Sequence, residues 1–229
     1  MSDLLPLFPL PNVVLFPNVF LPLHIFEPRY REMVADAIAS DRMIGMVLLR
    51  PRFGEAGRRS SQSHASGGWD PLGLDDVGRA SVYAIGSSGL ITHVEQLADG
   101  RYNIVLRGLE RFRILEEDHT RSYRRAIVEP LSERPMDDAD RAVVRRQRAK
   151  LEAMLAKPND AKGADPRIPS AMGDEDLVNA LAQYLDLEPL EKQALLEHHS
   201  LRTRAESLVE LLEMKMIMAR TPCKFNVAH

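Results

Sequence analysis

The chain has 229 residues and a mass of 25.8 kDa, with 45% hydrophobic and 28% charged residues, which excludes both a stapled mini-protein and wholesale disorder. Its 30 basic and 33 acidic residues leave a formal charge of −3, so no global field draws it toward phosphate backbones or anionic lipid. The single cysteine, Cys223, cannot form an internal disulfide and fits a reducing compartment, and a cytoplasmic protein is expected.

The apolar N-terminus is interrupted by Pro6, Pro9, Pro11, Pro17 and Pro22, which forbid a helix there. Asp3 is its only charge before Glu27, and it has no basic start and no small-residue cleavage site. It is therefore expected in the mature fold, as neither signal peptide nor membrane span. Val13 to Phe16 and Val19 to Leu23 read as short strands around a Pro17-Asn18 turn. Pro28 opens a helix whose apolar face holds Tyr30, Met33, Val34, Ala37 and Ile38 and which ends near Ser40. Met43 to Leu49 is an apolar run of strand length. Residues 51–80 hold six glycines and four serines without periodicity, so a long loop or insertion is expected.

Strand signals follow from Ser81. Gly86 and Gly89 bracket Ser87-Ser88 as a bend, and Asp99-Gly100 marks a type I′ hairpin between Leu90 to Leu97 and Tyr102 to Leu106. After a break at Gly108, Phe112 and Ile114 alternate with Arg111 and Arg113, and Tyr123 to Val128 is a last strand stopped by Pro130. Beyond Pro135 the pattern turns helical. Asp137 with Asp140 resembles an acidic cap before Val143, Val144, Leu151, Met154 and Leu155. A linker covers Pro158 to Gly173, Asp174 caps the next helix, Pro189 starts another through His198, and Ser200 caps the last. The last helix carries Leu201, Ala205, Leu208, Leu212 and Met216 at i, i+4, i+7, i+11 and i+15. The pattern gives a β-rich half over 1–135, a helical half over 136–220 and a tail over 221–229.

Three blocks, PLFPLPNVVLFPNVFLPLHIFEPRY from 6 to 30, DGRYNIVLRGLERFRI from 99 to 114 and LDLEPLEKQALLEHHSLRTRAESLVELLE from 185 to 213, resemble the Lon protease N-terminal (substrate-binding) domain family. The resemblance implies an α+β fold, a PUA-like β-barrel with one long helix followed by a C-terminal helical bundle. It also implies a non-catalytic module that binds unfolded or exposed apolar polypeptide, or serves as adaptor to a protease or chaperone. A full Lon protease would continue into ATPase and Ser-Lys peptidase modules, so a free-standing member is expected. Residues 51–80 are longer and richer in Gly and Ser than the family pattern.

The chemistry-bearing residues agree with a binding role. No G-x-x-x-x-G-K-[ST] phosphate loop occurs, and all six lysines lie after residue 130, away from any serine context. Gly86-Ser87-Ser88-Gly89 is not a G-x-S-x-G elbow. His198 and His199, adjacent on a helix, point about 100° apart and cannot share a metal, so no metal or other cofactor is expected. Phe53 and Trp69, the only aromatics of the 51–80 segment, are candidate polypeptide contacts, with Arg29 of the IFEPRY stretch as a third. The alternative is RNA binding through Arg101, Arg107, Arg111, Arg113, Arg121, Arg124 and Arg125, which crowd residues 101–125. Alternation along strands makes several of these the ordinary polar face of a sheet.

Overall fold

The structure, a computed structural model, describes residues 4–51, 80–155 and 172–220. Its described strands are β1 (Leu5–Leu10), β2 (Phe20–Ile25), β3 (Met43–Leu48), β4 (Ile85–Gln96), β5 (Tyr102–Asp118) and β6 (Arg125–Leu131). Helix α1 (Pro28–Ile38) lies between β2 and β3, and α2 (Asp138–Leu155), α3 (Asp174–Tyr184), α4 (Pro189–Glu197) and α5 (Leu201–Arg220) follow β6. The strands form one mixed sheet in the order β2-β5-β4-β3-β1-β6, in which only β1 and β3 run parallel. Because β6 also pairs with β5, the hydrogen bonding from β5 through β4, β3, β1 and β6 returns to β5, and β2 hangs on β5 as an outer edge. Phe53, Trp69, Cys223 and most of the 51–80 segment and of the 158–173 linker lie outside the described residues.

Local rules place most elements where the sequence puts them, and the departures have identifiable causes. Val13 to Phe16 is not a strand. Val14 and Phe16 pack into the helical core, Leu15 packs on the sheet, and the Phe16 N–H donates to Gln183 Oε1 at 3.1 Å, so this alternating segment is wedged between two cores. The first strand is instead Leu5–Leu10. It tolerates Pro6 and Pro9 because neither needs a donor there: β1 meets β6 only at Leu5 and Pro6, and Pro9 lies toward the open side. Ser87-Ser88 is no bend but an irregularity inside β4, where both hydroxyls donate to the Glu110 carbonyl. Gly108 does not break β5, which runs through it for 17 residues. A side chain at Gly108 would collide with the Phe16 carbonyl, and close backbone approach is the reason for a glycine there. The Asp99-Gly100 turn is a three-residue loop with only Gly100 at positive φ (80°), not type I′, since Asp99 stays in the ordinary region.

The helices and sheet share their largest apolar cluster. Val144, Leu151, Val178, Leu195, Leu196 and Leu208 of α2 to α5 meet Val14, Phe16, Val19 and Leu48. A second cluster seats Tyr30, Met33, Val34 and Ala37 of α1 on Ile44, Met46, Ile91, Ile104 and Leu106. A third, Leu7, Val47, Phe112 and Ala126, draws one residue from each of β1, β3, β5 and β6. Caps are as the sequence implies at Asp137, whose carboxylate accepts the Asp140 N–H at 2.7 Å, and at Ser200, whose hydroxyl accepts the Thr203 N–H at 3.2 Å. Gly173, not Asp174, is the N-cap of α3. The apolar stripe of α5 is buried at Leu201, Ala205 and Leu208, half-buried at Leu212 and exposed at Met216. No described helix is long and apolar enough to cross a membrane.

A polar node lies inside this interface. Arg204 of α5, fully buried, donates to the Leu195 carbonyl at 3.2 Å, to Asn179 Oδ1 at 3.0 Å and to Glu133. Arg111 of β5, also buried, donates to the Leu196 and His198 carbonyls and approaches Glu133 at 3.5 Å. Burial pulls the Arg111 guanidinium below its ordinary value, and burial together with Glu133 pushes the Glu175 carboxyl above its own. Removing one partner of such a pair strands a charge away from water. Arg204→Ala is expected to cost about 3 kcal/mol, measured by urea unfolding. The loss should occur within one transition, because the node joins both halves.

Candidate functional site

Glu27-Pro28-Arg29-Tyr30 fixes one corner of the molecule. Pro28 occupies the first helical turn of α1, where its missing N–H costs nothing. Glu27, the N-cap, makes no side-chain cap bond. Its Oε2 instead accepts from Arg29 Nη2 at 2.7 Å and Nε at 3.1 Å, and the guanidinium lies 4.6 Å from the centroid of the Tyr30 ring. Tyr30 is buried and packs on Phe8 at 4.5 Å between ring centroids. These side chains wall a cavity of about 240 Å³ between the end of β1, the strand β2 and the start of α1, with Pro9, Pro11 and Phe26 completing its apolar lining.

Strand β2 separates this cavity from a second groove of about 350 Å³ over the outer face of β2, β5 and β4. Period-2 alternation turns Phe20, Pro22 and His24 of β2 to solvent, and Phe26 follows in the same phase. Phe20 is 50% and Phe26 58% exposed. His24 stacks beside Phe26, with 6.3 Å between ring centroids, and hydrogen-bonds through Nδ1 to Asn103 Oδ1 at 2.7 Å. Asn103 Nδ2 donates to Glu95 at 2.7 Å, so Asn103 Oδ1 is an acceptor and the His24 Nδ1 carries the proton. The result is an apolar, aromatic surface along β2 on which the side chains of His24, Asn103 and Glu95 are already paired with one another. Nothing in it supplies an activated nucleophile or a group of metal ligands among the described residues.

The structure brings Arg29 to this site and ties its charge to Glu27. Phe53 and Trp69 lie outside the described residues. Of the aromatic walls, sequence reasoning placed only Tyr30, on the apolar face of a helix, and gave Phe8 and Phe26 of the apolar N-terminal segment no role. The available signal was the phase of Phe20, Pro22, His24 and Phe26, an exposed face that is apolar where a solvated strand would be charged. The arginines of 101–125 are largely committed elsewhere. Arg101 pairs with Asp99, Arg113 with Glu129, Arg121 with Glu32 and Asp36, Arg124 with Glu117, and Arg125 with Asp118. Arg111 is buried in the interface node, which leaves Arg107 as the member of the set without a carboxylate partner among the described residues.

Comparison with known proteins bears on this geometry. The family model described as "ATP-dependent protease La (LON) substrate-binding domain" matches residues 4–214. A Lon protease of Anaeromyxobacter dehalogenans is 25% identical over 227 residues, covering 98% of this chain and 25% of that protein. Lon protease 2 of Myxococcus xanthus is 25% identical over 229 residues, covering 99% and 25%. The chain thus spans about a quarter of the length of these curated relatives. Among solved structures, a Lon N-terminal domain protein from Xanthomonas campestris superposes with a TM-score of 0.52 at 21% identity, covering 96% of this chain and 99% of that one. The N-terminal domain of the Mycobacterium avium complex Lon protease gives a TM-score of 0.59 at 18% identity, covering 92% and 98%. At these identities the likeness establishes the fold.

Burial pushes the Tyr30 hydroxyl up to about 12, and burial with the hydrogen bond to Asp36 does the same for Tyr123. Both groups stay protonated in the folded protein while the unfolded chain ionises them near pH 10. Their contribution is therefore complete below about pH 10 and is lost as pH rises toward about 12. Urea midpoints should hold steady up to about pH 10 and then fall, and Tyr30→Phe should make the fall shallower.

Proposed function

The chain belongs to the ATP-dependent protease La (LON) substrate-binding domain family, and from that membership we propose that it is a non-catalytic polypeptide-recognition module. Its ligands are unfolded chains or exposed apolar segments, which it delivers to an ATP-dependent protease either as an adaptor or as the recognition part of one. The observation that carries this reading is the aromatic groove at the start of α1, an apolar concavity whose ion pair among the described residues, Glu27 with Arg29, is internally neutralised. Such a surface gains free energy by removing apolar area from water and makes no demand for a charged partner. Phe26 and Phe20 are the exposed anchors, Arg29 positions the Tyr30 wall, and Phe53 and Trp69 of the 51–80 segment add contacts from beyond the described residues.

The architecture is read in the same terms. The run of pairings that returns to β5 supports a PUA-like barrel over residues 1–135, with α1 packed on it, and the shared core of α2 to α5 supports a helical bundle over 136–220. RNA binding draws less support, because six of the seven arginines that suggested it, all but Arg107, are paired with carboxylates among the described residues.

A fluorescein-labelled, reduced and carboxymethylated polypeptide should bind with a Kd in the micromolar range, about −8 kcal/mol. Binding should change little with salt, since no counterions are released. Phe26→Ala, at an exposed position, should weaken it about tenfold without altering the unfolding midpoint, a loss in line with withdrawing one aromatic side chain from contact. Fluorescence anisotropy at low and high salt, with a labelled single-stranded RNA in parallel, checks this. Steep salt dependence with preference for the RNA would reverse the assignment.

A further inference from the structure

Two backbone edges border the groove, and strand pairing fixes what each offers a ligand. In an antiparallel pair a residue directs its N–H and C=O to the same side, and residues two apart share that side. Pro22 has no N–H, so its pairing with Val105 is not of the doubly bonded kind, and alternation turns Phe20, Pro22 and His24 toward the free edge of β2. Consistently, the Phe20 carbonyl is taken by the Tyr184 hydroxyl at 2.9 Å. On β1 the Leu10 carbonyl accepts from the Leu49 N–H at 2.9 Å, while the Leu7 N–H donates to the Arg124 carbonyl at 2.8 Å. Leu10 therefore faces β3, and Pro9, in phase with Leu7, faces away from it.

An added guest strand needs alternate host residues with both groups free. Phe20 has lost its carbonyl to Tyr184, and Pro22 and Pro9 have no N–H, with Pro11 following just past β1. Among the described residues His24 alone of this outward set keeps both groups, and one residue does not make a ladder. A proline on an edge strand is otherwise a guard against sheet-to-sheet aggregation. Here Pro9 and Pro11, with His24 from the edge of β2, line an aromatic cavity walled by Phe8, Phe26 and Tyr30, with a mouth whose ion pair is neutral as a whole, while Pro22 lines the neighbouring groove.

We infer that the groove takes proline-punctuated apolar segments in the polyproline II conformation, read through their side chains and not by strand addition, an inference that rests on the polypeptide-binding reading above. A polyproline II segment has no internal hydrogen bonds and keeps its main chain solvated, so it asks for no donors from the groove. Its pyrrolidine rings and apolar side chains suit aromatic walls, and its stiffness lowers the ordering cost of binding.

The test uses the full chain and two fluorescein-labelled peptides of about twelve residues, one repeating Ser-Leu-Pro and the other Ser-Leu-Ala, read by anisotropy. The proline peptide is expected to bind about threefold tighter or better, and Phe26→Ala to weaken it about fivefold. Equal or weaker binding of the proline peptide, with the alanine peptide still sensitive to Phe26→Ala, overturns the inference and leaves polypeptide recognition standing. Binding of neither peptide, or binding indifferent to Phe26→Ala, removes the groove as the site and the inference with it.

Discussion

A guanidinium withdrawn from water must be met by acceptors on every side, and that requirement at Arg204 and Arg111 holds the molecule together. Both are buried, and both are satisfied by main-chain carbonyls at the end of α4 and by the carboxylate of Glu133. Glu133 sits in the short connection between β6 and α2, where the pattern changes from strands to helices. The segment that looks like a boundary in the sequence is thus the one that pins strand β5 to helix α5. Hydrophobic burial supplies most of the stabilisation of this interface, but it is non-directional. The node fixes which carbonyls face which strand.

Other contacts follow the same logic. Gln183 satisfies the Phe16 N–H, Gln193 the Ile85 carbonyl and Tyr184 the Phe20 carbonyl, each a helix side chain completing a main-chain group that no strand reaches. These bonds hold Val13 to Phe16 between the two cores and keep β2 at the outer edge of the sheet. The groove depends on that edge. Were β2 paired on both sides, the space between β1, β2 and α1 would be filled by another strand, and Phe26 would have no exposed ring.

The recognition proposed for this groove rests on what its edges lack. Prolines at 9, 11 and 22 let extended backbone run beside an open cavity without offering a ladder of donors, a feature that disfavours strand-to-strand pairing while leaving apolar surface exposed. The same economy shows in the charges. Glu27 with Arg29, Arg113 with Glu129 and Arg125 with Asp118 cancel locally, and the exposed side chains at the groove mouth are aromatic.

Sequence by itself determined the elements whose signals are local. Pro28 with its apolar spacing set α1, Ser200 and the leucine stripe set α5, alternation set the faces of β5, and the three blocks named the family. It also shows that the chain contains no G-x-x-x-x-G-K-[ST] phosphate loop, a contiguous motif that can be read directly. Only the tertiary structure decided what depends on contacts distant in sequence. Gly108 passes through a strand because the Phe16 carbonyl lies against it, Val13 to Phe16 is denied a strand partner by Gln183, and Arg111 is a buried interface residue and not a surface cation. The groove is of this second kind. Phe8, Phe26 and Tyr30 are 22 positions apart at their extremes, and no local pattern joins them. Whether an aromatic ring is buried or left at an edge is set by which strands close around it, and that choice is made by packing and not by the residue's own propensity.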